Sequence, residues 1–157
     1  MSLKKGDTAP HLELISDDLE KVKLEFPREQ HVLLLFFPLA YTSVCTTELC
    51  TVKDERKEYA DLNADVFGIS VDSPFTLQKF KADNELSYPL LSDFNKEASR
   101  AYNALYDNFV FDMKGVSKRA AFVIDKKGVI QYAEVLEDAG QLPNFEEIKS
   151  ALQNLQS

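Results

Sequence analysis

The chain has 157 residues, 45% of them hydrophobic and 28% charged, which suits one globular domain with enough apolar mass for a core. Its formal charge of −8 argues against nucleic acid, which attracts proteins through clustered Lys and Arg. Its most apolar stretch, Leu33 to Phe37, is far too short to cross a bilayer, and Met1 to Pro10 lacks the apolar segment of a secretory signal; a cytoplasmic protein is expected.

Leu12 to Ile15 and Val22 to Leu24, with Asp17-Asp18 between them, suggest an N-terminal β-hairpin. His31 to Phe37, HVLLLFF, is a continuous apolar run closed by Pro38, the pattern of a strand buried on both faces. Leu49, Val52, Tyr59 and Leu62 then fall on one helical face, predicting a helix from Cys45 to about Leu62. Asp65 to Val71 is a second buried-type strand. Ser73-Pro74 caps a helix running to about Asn84.

Phe94 to Ala104 is predicted as a short helix. Ala120 to Asp125 and Val129 to Val135 form an antiparallel hairpin around Lys126-Lys127-Gly128. Pro143 opens a last amphipathic helix carrying Phe145, Ile148, Leu152 and Leu155. The order β-α-β-α-β-β-α, with no linker and no repeat, predicts a single α/β domain over 1–157. Its fold is thioredoxin-like: a mixed central sheet flanked by helices, with the N-terminal hairpin added.

Two cysteines in a reducing compartment are either buried small hydrophobes or working thiols. Cys45 and Cys50 are spaced for neither a C-x-x-C pair nor a zinc knuckle, and His11 and His31 are remote, so no metal site is expected. In open α/β sheets chemistry gathers at the carboxyl ends of strands, and Cys45 lies just past the end of the first core strand. An inert buried cysteine is the competing reading.

Pro38, Thr42 and Cys45 compose P-x-x-x-T-x-x-C within FFPLAYTSVC, and here the sequence resembles the peroxiredoxins, thiol peroxidases of the thioredoxin fold. The resemblance runs along the whole chain, through Gly6 to Pro10, Phe67 to Pro74, Tyr88 to Asp93 and Arg119 to Asp125. It is greatest to the alkyl hydroperoxide reductase E type. The resemblance implies that Cys45 is the peroxidatic cysteine and that the Thr42 hydroxyl and Arg119 guanidinium bind the peroxide oxygens. The Val44 and Cys45 amides would complete the pocket, Pro38 would shield the thiolate, and Glu48 would orient the arginine. Alone, Thr42 also reads as a helix N-cap, Arg119 as a solvated strand flank, and Pro38 as a strand end.

Physical chemistry says which device must dominate such a site. Taking a thiol from pKa about 8.5 to about 6 raises its ionised fraction nearly thirtyfold at pH 7, but costs about tenfold in nucleophilicity, leaving roughly threefold. A preorganised donor aimed at the departing oxygen contributes about 2.7 to 4 kcal/mol. Donors, not ionisation, should carry the catalysis.

The sulfenic acid formed on Cys45 must be reduced before it reaches the irreversible sulfinic state. The five-residue spacing resembles that of the peroxiredoxin Q type, which implies that Cys50 resolves it. On an intact helix their Cα atoms would be roughly 8.5 Å apart, beyond the 7 Å limit for a disulfide, so the first turn must unwind. A packed apolar cysteine is the alternative for Cys50. Asn103 stands where the family often has glycine, and asparagine tolerates a left-handed turn.

The expected function is therefore reduction of hydrogen peroxide and organic hydroperoxides, without metal or organic cofactor. A thioredoxin-like or low-molecular-weight thiol would recycle the enzyme, and Phe75, Tyr106, Phe109 and Phe111 offer surface for a homodimer. A thiol-disulfide exchange enzyme and a redox-sensing switch of the same fold are the alternatives; a peroxide rate near that of free cysteine would favour them.

Overall fold

The computed structural model describes residues 3–156. A seven-stranded mixed sheet has the order β2-β1-β5-β4-β3-β8-β9. Its centre is β3 (His31–Phe36), parallel to β4 (Ala64–Ser70) and antiparallel to β8 (Arg119–Ile124). The other strands are β1 (Leu12–Ser16), β2 (Lys21–Leu24), β5 (Leu90–Ser92) and β9 (Ile130–Leu136). The N-terminal hairpin expected from Asp17-Asp18 is present, with Leu14 opposite Val22, and it joins the sheet through β5.

The apolar run of β3 is buried throughout because the strand has a core on each face. Leu33, Leu35 and Phe37 face α1 (Ser43–Asp54), α3 (Pro74–Asn84) and α5 (Phe145–Gln153), meeting Leu49, Leu77, Phe80 and Ile148. Val32, Leu34 and Phe36 face the opposite way, where Phe36, Tyr102 and Phe122 form an aromatic cluster with centroids 5.1 to 5.8 Å apart. Gly68 of β4 lets these layers approach: a Cβ there would lie 2.7 Å from Leu90 Cδ2.

Several expected elements change form. The helix expected from Cys45 to Leu62 begins at Ser43 and breaks at Glu55, after which α2 spans Arg56–Asp61. At the break Lys149 of α5 takes the Glu55 and Glu58 carboxylates at 2.6 and 3.1 Å, a tertiary pull that helical periodicity does not contain. The helix expected over Phe94 to Ala104 contracts to α4 (Glu97–Ala101), because the Asp93 carboxylate accepts the Ala98 and Ser99 amides at 2.9 and 2.7 Å. Asn103 adopts φ +52, the left-handed conformation expected of it. Strand β5 and the small pair β6 (Leu105–Tyr106) and β7 (Val116–Ser117) are too short to register as patterns. Among the described residues no helix is long and apolar enough to cross a membrane.

Candidate active site

Strand β3 delivers the chain to Pro38, a buried residue that cannot extend the ladder because it has no N–H. The following turn is pinned from the other strand ends. Asp72 Oδ2 accepts the Ala40 amide and the Ser70 hydroxyl, each at 2.7 Å. Tyr41, at φ +70, lays its ring against Phe80 and donates its hydroxyl to Asp83 at 2.9 Å. Helix α1 then starts at Ser43.

Thr42 occupies the N-cap position, but its hydroxyl makes no cap bond and instead donates backwards to the Leu39 carbonyl at 2.9 Å. The amides of Ser43, Val44 and Cys45 precede the first intrahelical bond, from the Thr46 amide to the Thr42 carbonyl at 3.0 Å. They are the electropositive end of the helix, and Cys45 lies in that first turn.

Strand pairing supplies the remote partner. Ala120 of β8 is opposite Phe36, the last residue of β3, so Arg119 projects beside the start of α1. Its guanidinium is a three-way joint. Nη2 lies 3.2 Å from Cys45 Sγ, Nη1 donates to Glu48 Oε1 at 2.9 Å, and Nε and Nη2 donate to the Ala139 carbonyl at 3.0 and 2.8 Å. Arg119, Glu48 and Cys45 are all essentially inaccessible to solvent. Burial pushes the Glu48 carboxyl up to about 8, against the pull of Arg119 and with a further push from Glu134. Its second oxygen has no hydrogen-bond partner.

An open crevice of about 460 Å³ ends at this joint, and Pro38, Thr42, Val44 and Arg119 share its wall with residues of the 106–110 and 137–140 segments. Cys45 is fully buried and does not itself line the crevice; its contact with Arg119 Nη2 joins it to the crevice wall. Thr42, whose proton is directed at Leu39, keeps oxygen lone pairs to accept an incoming O–H.

Five of the six residues singled out in the sequence thus converge, Cys45, Arg119 and Glu48 in contact and Pro38 and Thr42 on the same wall. Cys50 does not join them. It lies half-buried on the intact α1, its Sγ 3.8 Å from Asn84 Oδ1, and both cysteines are free thiols. Two groups went unnoticed in the sequence. The Ala139 carbonyl is main chain and carries no side-chain signature, whereas Asp72, just past the end of β4, could have been noticed as a loop carboxylate at the strand ends. His11 is exposed against Phe26, and His31 is buried, its pKa lowered by desolvation; neither touches the site.

The sequence profile of the AhpC/TSA family matches residues 5–133. A chloroplastic 2-cysteine peroxiredoxin of Chattonella marina var. antiqua is 36% identical over 86% of this chain and 72% of its own length. A mitochondrial thioredoxin-dependent peroxide reductase of Drosophila melanogaster is 36% identical over 76% of this chain and 52% of its own. The crystal structure of peroxidoxin BcpB from Mycobacterium tuberculosis superposes with a TM-score of 0.86 at 27% identity, covering 99% of each chain, so the fold is thioredoxin-like as expected. With the family profile spanning most of the sequence, the chain belongs to the AhpC/TSA family and is a peroxiredoxin, a thiol-dependent peroxidase.

Proposed function

We propose that Cys45 is the peroxidatic cysteine and that Arg119, Thr42 and the first-turn amides of α1 bind the peroxide, with Glu48 positioning Arg119 and Pro38 keeping water from the sulfur. The observation that carries this reading is the single guanidinium in contact with both Cys45 Sγ and Glu48. The Cys45 thiolate attacks the hydroxyl oxygen of ROOH, the S–O bond forms as the O–O bond breaks, and the electron pair leaves on RO⁻, which takes up a proton as the alcohol. Sulfur is oxidised to sulfenic acid. Arg119 and the amides meet the charge as it moves from sulfur to the departing oxygen, which is where a fixed donor acts most strongly.

Cys50 then attacks the sulfenic sulfur, releasing water and forming an intramolecular disulfide, after α1 unwinds at its first turn. A thioredoxin-like or low-molecular-weight thiol returns both cysteines to thiols by two exchanges. This combines an alkyl hydroperoxide reductase E type site with a peroxiredoxin Q type second cysteine. Exposed Phe75, Phe94 and Phe111 support a homodimer in solution. Stopped-flow oxidation by hydrogen peroxide tests the assignment: Cys45→Ser should abolish the fast reaction, and Cys50→Ser should keep it. Mass spectrometry after one equivalent of peroxide should find a loss of two hydrogens in the native chain and a sulfenic acid in Cys50→Ser. A native chain that stops at the sulfenic acid removes Cys50 from the cycle, and a rate near that of free cysteine removes Cys45.

A further inference from the structure

The usefulness of Thr42 to a peroxide depends on where its proton points. That proton goes to the Leu39 carbonyl at 2.9 Å, which leaves the oxygen lone pairs for an incoming O–H. The Leu39 carbonyl must therefore be held still, because a turn outside the sheet can rotate a peptide and a hydroxyl follows its acceptor.

The Leu39 carbonyl and the Ala40 amide are the two ends of one peptide unit. That unit is trans and planar, so its C=O and N–H point in opposite directions and can only turn together. At the far end the Ala40 N–H donates to Asp72 Oδ2 at 2.7 Å. Asp72 is itself fixed. The Ser70 hydroxyl donates to the same oxygen at 2.7 Å, the Asp72 amide donates to the Ser70 hydroxyl at 3.2 Å, and the Ser92 hydroxyl donates to the Asp72 carbonyl at 2.6 Å. Ser70 and Ser92 are buried and paired at the ends of β4 and β5, so the carboxylate is anchored to the sheet and the turn is anchored to the carboxylate.

We propose that Asp72 is a positioning residue for peroxide reduction: through the Leu39–Ala40 peptide it commits the Thr42 proton to Leu39 and keeps the Thr42 oxygen an acceptor for the peroxide. It acts through Thr42, not on the sulfur. The inference rests on the peroxidase reading and adds a residue to it.

Stopped-flow oxidation by hydrogen peroxide is set beside alkylation of Cys45 by iodoacetamide, which needs the same thiolate but not the Thr42 oxygen. Asp72→Ala should lower the peroxide rate about tenfold and leave alkylation within about threefold of native. Asp72→Asn, whose side-chain oxygen can still accept the Ala40 amide and the Ser70 hydroxyl, should restore the peroxide rate to within about threefold. In Thr42→Val no proton is left to direct, so adding Asp72→Ala should slow the reaction by less than about twofold further. Should Asp72→Ala fail to fold, Asp72→Ser, too short to reach the Ala40 amide, takes its place. The assignment is overturned by a native peroxide rate in that variant, by a full further loss on top of Thr42→Val, by an asparagine variant as slow as the alanine one, or by alkylation moved more than about threefold. Each of these leaves the peroxidase reading standing. A native chain that reduces peroxide no faster than free cysteine overturns that reading as well.

Discussion

At the scale of single residues the site turns on Arg119, which satisfies Cys45, Glu48 and the Ala139 carbonyl at once with a rigid fork. Lysine has the charge but a single point of donation, so Arg119→Lys should lose the geometry and keep the sign. Its second-order rate with hydrogen peroxide is expected to fall a hundredfold or more, the equivalent of about 2.7 kcal/mol for one lost donor. Thr42→Val should fall by a similar factor through loss of the hydroxyl facing the crevice, and a rate within threefold of native for either variant would rule its side chain out of peroxide binding. Stability should respond differently. Arg119→Met leaves the buried Glu48 carboxyl, already pushed up to about 8, without its hydrogen-bond donor and should cost about 1 to 3 kcal/mol in urea unfolding, most of which Arg119→Met with Glu48→Leu should recover. The residue types of this constellation were legible through the motif, but their contacts were not. No pattern says that the Thr42 proton goes to Leu39, or that a carbonyl twenty residues after Arg119 fixes its guanidinium, because main-chain groups look alike in every sequence.

At the scale of elements the question is what holds α1 folded around Cys50. Tyr88 is buried and donates its hydroxyl to the Leu49 carbonyl at 2.7 Å, one residue before Cys50. Lys53 donates to the Asn84 carbonyl at 3.1 Å, and the Cys50 thiol lies against the same asparagine, so the end of α3 and the segment after it clasp the helix. If resolution needs α1 to unwind, a clasp bond sets part of its rate. Tyr88→Phe removes a buried bond of about 0.5 to 1.5 kcal/mol and should speed disulfide formation about two- to twelvefold in quench-flow with thiol trapping. An unchanged rate, with the initial oxidation also unchanged, would show that this part of α1 stays folded during resolution. The clasp was invisible in the sequence because it joins positions more than thirty residues apart with no charge pairing to advertise it. The strands, by contrast, were read well: the five successive apolar residues Val32 to Phe36 of β3 have no satisfactory home except between two cores. The helix break at Glu55 was missed because helical periodicity does not show the ion pairs that Lys149 of α5 makes there with Glu55 and Glu58.

At the scale of the whole molecule, the buried Glu48 carboxyl beside Arg119 ties the stability of the fold to pH. Glu48 carries a carboxyl pushed from 4.5 up to about 8, so the folded chain holds its proton more tightly than the unfolded chain does. Its contribution is therefore largest below about pH 4.5 and is lost as pH rises towards 8. His31 acts in the other direction: burial lowers its pKa from 6.5, so its contribution is present above 6.5 and is lost as pH falls below that value. The two slopes oppose each other in mildly acidic solution, but above pH 6.5 the Glu48 term stands apart from that of His31. Urea unfolding of the native chain and of Glu48→Gln isolates it, because glutamine keeps the shape and an acceptor for Arg119 without the titration. Between pH 6.5 and 8 the native chain should lose up to about 2 kcal/mol relative to the variant, the limit set by 1.4 kcal/mol per unit over that interval. Parallel curves would mean that Glu48 is already ionised at pH 6.5, with the guanidinium outweighing burial.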